Sequence, residues 1–190
     1  MILDTHADTF ALPQSLIIPI AAKNIGAIKT YVGDIVDSNK NSSALVVDFN
    51  PLESANNLGV WKHDRAHLIN SPKQIWVHVD YKGYRNYYIK KTAYPDPSDY
   101  VIDHIMNRRL ARELNYEFVR LIHVSRGTNS SSGRGPENES IKYQESGYAP
   151  KEDRTLITYA DPSDLVKMLD LQTGSFPLDA VRDAMQMFYT

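Results

Sequence analysis

Cysteine is absent from the 190 residues. That absence excludes disulfides, thiolate zinc sites and cysteine nucleophiles. No run of about 18 apolar residues occurs, so no segment reads as a membrane-spanning helix. The start, Met1-Ile2-Leu3-Asp4, has neither the basic flank nor the long apolar run of a secretory signal. A cytoplasmic protein without a membrane partner is the expectation. An excess of one charge is also missing: 21 Lys and Arg face 23 Asp and Glu, a formal −2. The chain as a whole is therefore not a basic nucleic-acid binder. No glycine-rich loop for a phosphate occurs, and Ser125 and Ser130–Ser132 lack the context of a nucleophile elbow.

What is present is ordinary globular material, 42% apolar and 23% charged. Length and composition fit a single domain over 1–190. Twelve tyrosines against five phenylalanines suggest half-buried surfaces with polar tips. Residues 1–70 read as an irregular N-terminal region. Within it, Ala44–Phe49 reads as a strand closed by Asn50-Pro51, and 52–69 as room for a short helix. Residues 71–150 read as the core. Gln74–Tyr81 alternates and is β-rich, Lys82-Gly83 follows as a turn, and Tyr84–Ile89 is β-rich again, a pattern that predicts an antiparallel hairpin. Ile105, Met106, Leu110 and Leu114 have helical spacing over His104–Leu114. Tyr116–Val124 is a strand by composition, and Ser125–Glu139 reads as loop. Residues 151–190 read as a helical C-terminal region, with helices over Asp161–Leu171, N-capped by Ser163, and over Leu178–Phe188. The fold class expected is α+β: a central β-hairpin, a helix and a further strand, followed by helices. Tyr94–Val101 echoes Tyr159–Val166, which raises the alternative that a helix begins at Ser98 and contains Asp103 and His104.

Charge is distributed unevenly. Ten Lys and Arg against five acids lie between Lys82 and Arg134, leaving that stretch +5 and the remainder −7. A local basic island suits a face that contacts phosphates, and equally a solvated helix face on which Glu113 and Glu117 pair with arginines. The same stretch holds Asp103-His104 and, 25 residues further on, Thr128-Asn129-Ser130-Ser131-Ser132-Gly133. Phosphodiester hydrolysis needs a hard cation on oxygen ligands and a neutral imidazole to take a proton from water. Adjacent residues of a strand point to opposite faces, so an Asp-His pair can address a metal and a water separately. An asparagine carbonyl offers a further oxygen ligand.

The order Asp-His, then a strand, then Asn-Ser-Ser-x-Gly resembles the HNH or His-Me finger (ββα-metal) endonucleases over Tyr100–Gly133. The resemblance implies a ββα-metal unit and a metal-dependent endonuclease that hydrolyses nucleic-acid phosphodiester bonds. His104 is then the general base, and Asp103 and Asn129 hold the metal, with Asn115 as the candidate for the family's central asparagine. Mg²⁺ or Mn²⁺ suits such oxygen ligands ahead of Zn²⁺. The zinc-knuckle cysteines of many members are absent, and Ser132 stands where the family signature has lysine. Arg126, close to Asn129 in sequence, is a candidate for the phosphate or the developing charge. His123 is a candidate third ligand. Arg108, Arg109, Arg134, Lys90 and Lys91 are candidates for nucleic-acid contacts, with DNA ahead of RNA as the partner. A cognate inhibitor protein is a further possible partner. Two other clusters carry less. Asp4-Thr5-His6 suits an amidohydrolase strand end, but that fold needs about 250 residues. His63 and His67 have i, i+4 spacing without a third ligand. The alternative to an enzyme is a non-catalytic protein-binding module, of inhibitor, immunity or adaptor type, contacting its partner through tyrosines and the acidic remainder.

Overall fold

The computed structural model describes residues 18–49, 73–92, 100–132, 156–160, 164 and 167–170. The fold is mixed, helix and strand, around one antiparallel sheet of seven strands. Its elements run β1 (Pro19–Ala22), α1 (Ile25–Tyr31), β2 (Gly33–Ser38), β3 (Ala44–Phe49), β4 (Lys73–His78), α2 (Tyr84–Thr92), β5 (Tyr100–His104), α3 (Arg108–Glu113), β6 (Phe118–Ser125), α4 (Arg126–Ser132) and β7 (Ile157–Tyr159). The strand order is β2-β3-β4-β6-β1-β7, and β5 pairs with β6 off this path. No described helix is long and apolar enough to cross a membrane, which says nothing of strands.

The sheet has helices on both faces, and its central strands are apolar on both sides for that reason. Ala44 and Val46 of β3 and Ile75 and Val77 of β4 join one cluster with Tyr87 and Tyr88 of α2. Leu45, Val47 and Trp76 face the other way, against Ala27 and Ile28 of α1. Trp76 is fully buried, and its indole N–H donates to Gln74 Oε1 at 3.0 Å. The outermost strand, β2, is mostly exposed, and its ladder with β3 shifts between Ile35 and Asp37. Asn39 closes that hairpin, its Oδ1 accepting from the backbone N–H of Ser43 and Ala44.

Four regions differ from the sequence-based expectation. Residues 18–49 are regular rather than irregular, forming β1, α1, β2 and β3. Tyr84–Ile89 is not the second hairpin strand but the body of α2. Strand preference is a packing preference, and here Tyr84, Tyr87 and Tyr88 fall at i, i+3 and i+4, on one helical face. Gly83 is no hairpin turn either: its carbonyl receives the Tyr87 N–H, and a Cβ there would lie 2.7 Å from Tyr81 Oη. β4 pairs instead with β3 and β6. His104 ends a strand, β5, and the helix begins only at Arg108, N-capped by Asn107 Oδ1 on Arg109 N–H at 2.8 Å. Residues 126–132 form α4 rather than loop, capped by Ser125 Oγ on Thr128 N–H at 3.2 Å.

In the C-terminal region Ile157–Tyr159 is the strand β7, while 164 and 167–168 are helical, within the span expected to be helix. The expected helices in 52–69 and over Leu178–Phe188 lie outside the described residues, as do His6, His63, His67 and Arg134.

Candidate functional site around His104

The β5–β6 ladder builds the site. Its register sets Tyr100 against Ser125, Ile102 against His123, Asp103 against Ile122 and His104 against Leu121. Paired residues share a face and neighbours alternate. His104 and His123 therefore share the face on which α2 lies, and Asp103 points the other way. The ring of Tyr84, the first residue of α2, lies 4.5 Å from that of His104. Tyr88, one turn later, shares a 2.9 Å hydrogen bond with His123 Nδ1. Tyr100 meets the same imidazole edge-on.

His104 is 4% exposed, and its buried Nε2 has no hydrogen-bond partner among the described residues. Burial pushes its pKa down to about 4, against the opposing pull of Asp103. Arg108, Lys167 and Arg112 add to the depression. The ring is therefore neutral at pH 7. An unpartnered buried nitrogen is costly, and such atoms concentrate where a ligand or a proton is handled.

Asp103 is occupied on both oxygens. Oδ1 accepts the His104 N–H at 2.8 Å, and Oδ2 lies 2.8 Å from the Lys167 ammonium. Lys167, 2% exposed, also donates to the carbonyls of His104 at 2.6 Å and Ile105 at 3.3 Å. Three residues on, Asp170 Oδ1 accepts the Ser125 N–H, at the far end of the ladder. The segment 167–170 thus ties down both ends of the β5–β6 pair. Among the described residues no group of three or more His, Asp or Glu gathers as a cation cage. The donors around Asp103 do not fit a divalent cation in this arrangement, because a lysine already neutralises the carboxylate that the described residues place beside His104.

The remaining expected residues scatter. His123 is spent on Tyr88. Asn129 is half-buried on α4, whose cap lies at the Tyr100 end of the ladder, opposite His104. Arg126 opens α4 and is exposed. Asn115 terminates α3 in a left-handed conformation, φ 58°, and the following Tyr116 N–H reaches back to the Ala111 carbonyl. That is a helix-ending role. Arg109 pairs with Glu113 on the surface. Lys90 and Lys91 close α2 at the end away from Tyr84, where Lys91 pairs with Asp37 of β2. Arg108, one of the expected contacts, does come near His104: it and Arg85 place guanidinium groups over the Tyr84 ring, at 5.9 and 5.6 Å, and Arg112 is held by Asp80 and the Val79 carbonyl.

Sequence reasoning missed Tyr84 and Lys167. Lys167 had a signal, being the one cation inside the apolar run Leu165–Leu169. Tyr84 had none, since its role depends on α2 being a helix. No protein-family model, no curated protein and no solved structure matches this chain.

Proposed function

We propose that this chain binds nucleic acid and hydrolyses its phosphodiester bonds, with His104 accepting the proton of the attacking water. The observation that supports the reading is a paired strand unit leading into a helix: β5 and β6 are antiparallel, the short helix α3 lies in their connection, and α4 follows β6 at once. Asp103-His104 closes the first strand, and Asn129 lies on the helix. The neutral imidazole supplies an acceptor, and the paired guanidinium groups of Arg85 and Arg108 beside it supply the charge that holds a phosphate. The Tyr84 ring packs against that of the buried His104, so in this reading substrate entry requires the tyrosine ring to swing aside. Its departure rehydrates His104 and returns the imidazole toward its ordinary basicity, nearer the operating pH where a general base works best.

The test is incubation of purified protein with plasmid and with RNA, in Mg²⁺, Mn²⁺ or EDTA. Cleavage is expected, and His104→Ala is expected to slow it by about 10²–10⁴. Cleavage that survives His104→Ala would refute the assignment. A second reading, a non-catalytic binding module, is favoured by one observation: Asp103 is already paired with Lys167 and the His104 ring is shut away from solvent. Under that reading no arm of the assay yields products, while the His104 variant remains folded.

A further inference from the structure

We infer that Lys167 stands in for a divalent cation at Asp103, so that the native chain has no metal site there and acquires one only when the lysine is removed. The inference concerns the site of the proposed hydrolysis but stands separately from it, because it is read by metal binding and not by cleavage.

The argument is one of chemistry at a single point. A carboxylate at the end of a strand, partly open to solvent, is a hard oxygen ligand for Mg²⁺ or Mn²⁺. Backbone carbonyls are ligands of the same kind. At the end of β5 three such oxygens converge: Asp103 Oδ2 and the carbonyls of His104 and Ile105. The Lys167 ammonium sits among them at 2.8, 2.6 and 3.3 Å. It offers three protons to three acceptors. A primary ammonium and a divalent cation compete for the same oxygens and cannot share them.

The lysine does not wander into this place. Met168 and Leu169, which follow it, are fully buried in the larger apolar cluster, and Asp170 is fastened to the Ser125 N–H. Its backbone is therefore anchored on the far side, and the buried side chain has one destination. For a metal to enter, the ammonium must leave a site in which it is 2% exposed. Of the ligands that the resemblance assigns to a metal, Asp103 is taken by a group the chain carries itself.

The probe is Mn²⁺, followed by paramagnetic broadening of backbone amide signals. In the native chain, millimolar Mn²⁺ is expected to leave the amides of residues 102–106 no more broadened than in Asp103→Asn. In Lys167→Ala the same amides are expected to be lost from the spectrum, and Lys167→Ala combined with Asp103→Asn should restore them. Selective broadening of residues 102–106 in the native chain that Asp103→Asn removes would overturn the inference. So would a folded Lys167→Ala chain that shows none. Should the alanine variant fail to fold, Lys167→Met, which keeps the apolar stem, takes its place. The comparison of the native chain with Asp103→Asn decides the first half of the claim in any case. Cleavage of plasmid or RNA is a separate readout, and its absence from every arm, with or without metal, would count against the proposed hydrolysis and leave this result untouched.

Discussion

The two halves of β6 occupy different surroundings. Phe118 to Arg120 lie at the middle of the sheet, with β4 on one side and β1 supplying the neighbour on the other. Leu121 to Ser125 pair with β5. Around the first half the contacts are dense and mostly apolar, with Val77 opposite Val119 and Trp76 opposite the buried Arg120. Around the second, two imidazoles, three tyrosines, a carboxylate and a lysine are buried or half-buried together. Apolar packing is insensitive to pH and non-directional. A polar cluster depends on each bond being made and on each charge being matched. One strand thus carries a region built for stability into a region whose condition can change.

Three measurements sharpen that contrast. The largest effect belongs to the first half: Trp76→Ala removes a fully buried indole and is expected to cost about 3–5 kcal/mol in urea unfolding, with little change in its pH dependence. The second half responds to acid. Folded His104 stays neutral down to a pKa of about 4, whereas the unfolded chain protonates near 6.5. The unfolded state therefore holds the extra proton across that window, and stability falls as pH drops through it. The contribution is about 1.4 kcal/mol lost per pH unit. Native and His104→Gln unfolding curves at pH 7 and pH 4.5 should converge at the lower value; parallel curves would contradict the burial of the ring. The smallest effect is Tyr88→Phe, which takes a hydroxyl from His123 and should cost roughly 1–2 kcal/mol. Its specific mark is a change in the ring signals of His123, with those of His104 undisturbed.

The same division separates what the sequence made legible from what it did not. β3, β4 and β6 are continuous or alternating apolar runs, and each is found within three residues of its expected bounds. The Asp103-His104 pair was legible as a dipeptide, and its place at a strand end followed from neither spacing nor composition. α2 was misread because Tyr-Arg-Asn-Tyr-Tyr-Ile has strand-like content, and only burial on the sheet reveals the i, i+3, i+4 grouping of its tyrosines. α4 was misread because Gly127-Thr128-Asn129-Ser130 has poor helix propensity. What holds it is the Ser125 cap, and that serine is itself held by Asp170 from 45 residues away. Lys167 reaches the β5 carbonyls from a separation of 62 and 63 residues. Local patterns carry no information about partners so distant.

The margin of the sheet has its own consequence. A strand with one free side is a template on which a neighbouring molecule can add, and long flat edges invite fibres. β2 has no outer neighbour among the described residues, its pairing slips between Ile35 and Asp37, and it presents Asp34 and Asp37, the latter held by Lys91. A second copy approaching this border meets a kinked backbone and like charge instead of a straight row of donors and acceptors. Despite the tyrosine-rich, strand-rich interior, this side of the chain is built to discourage polymerisation.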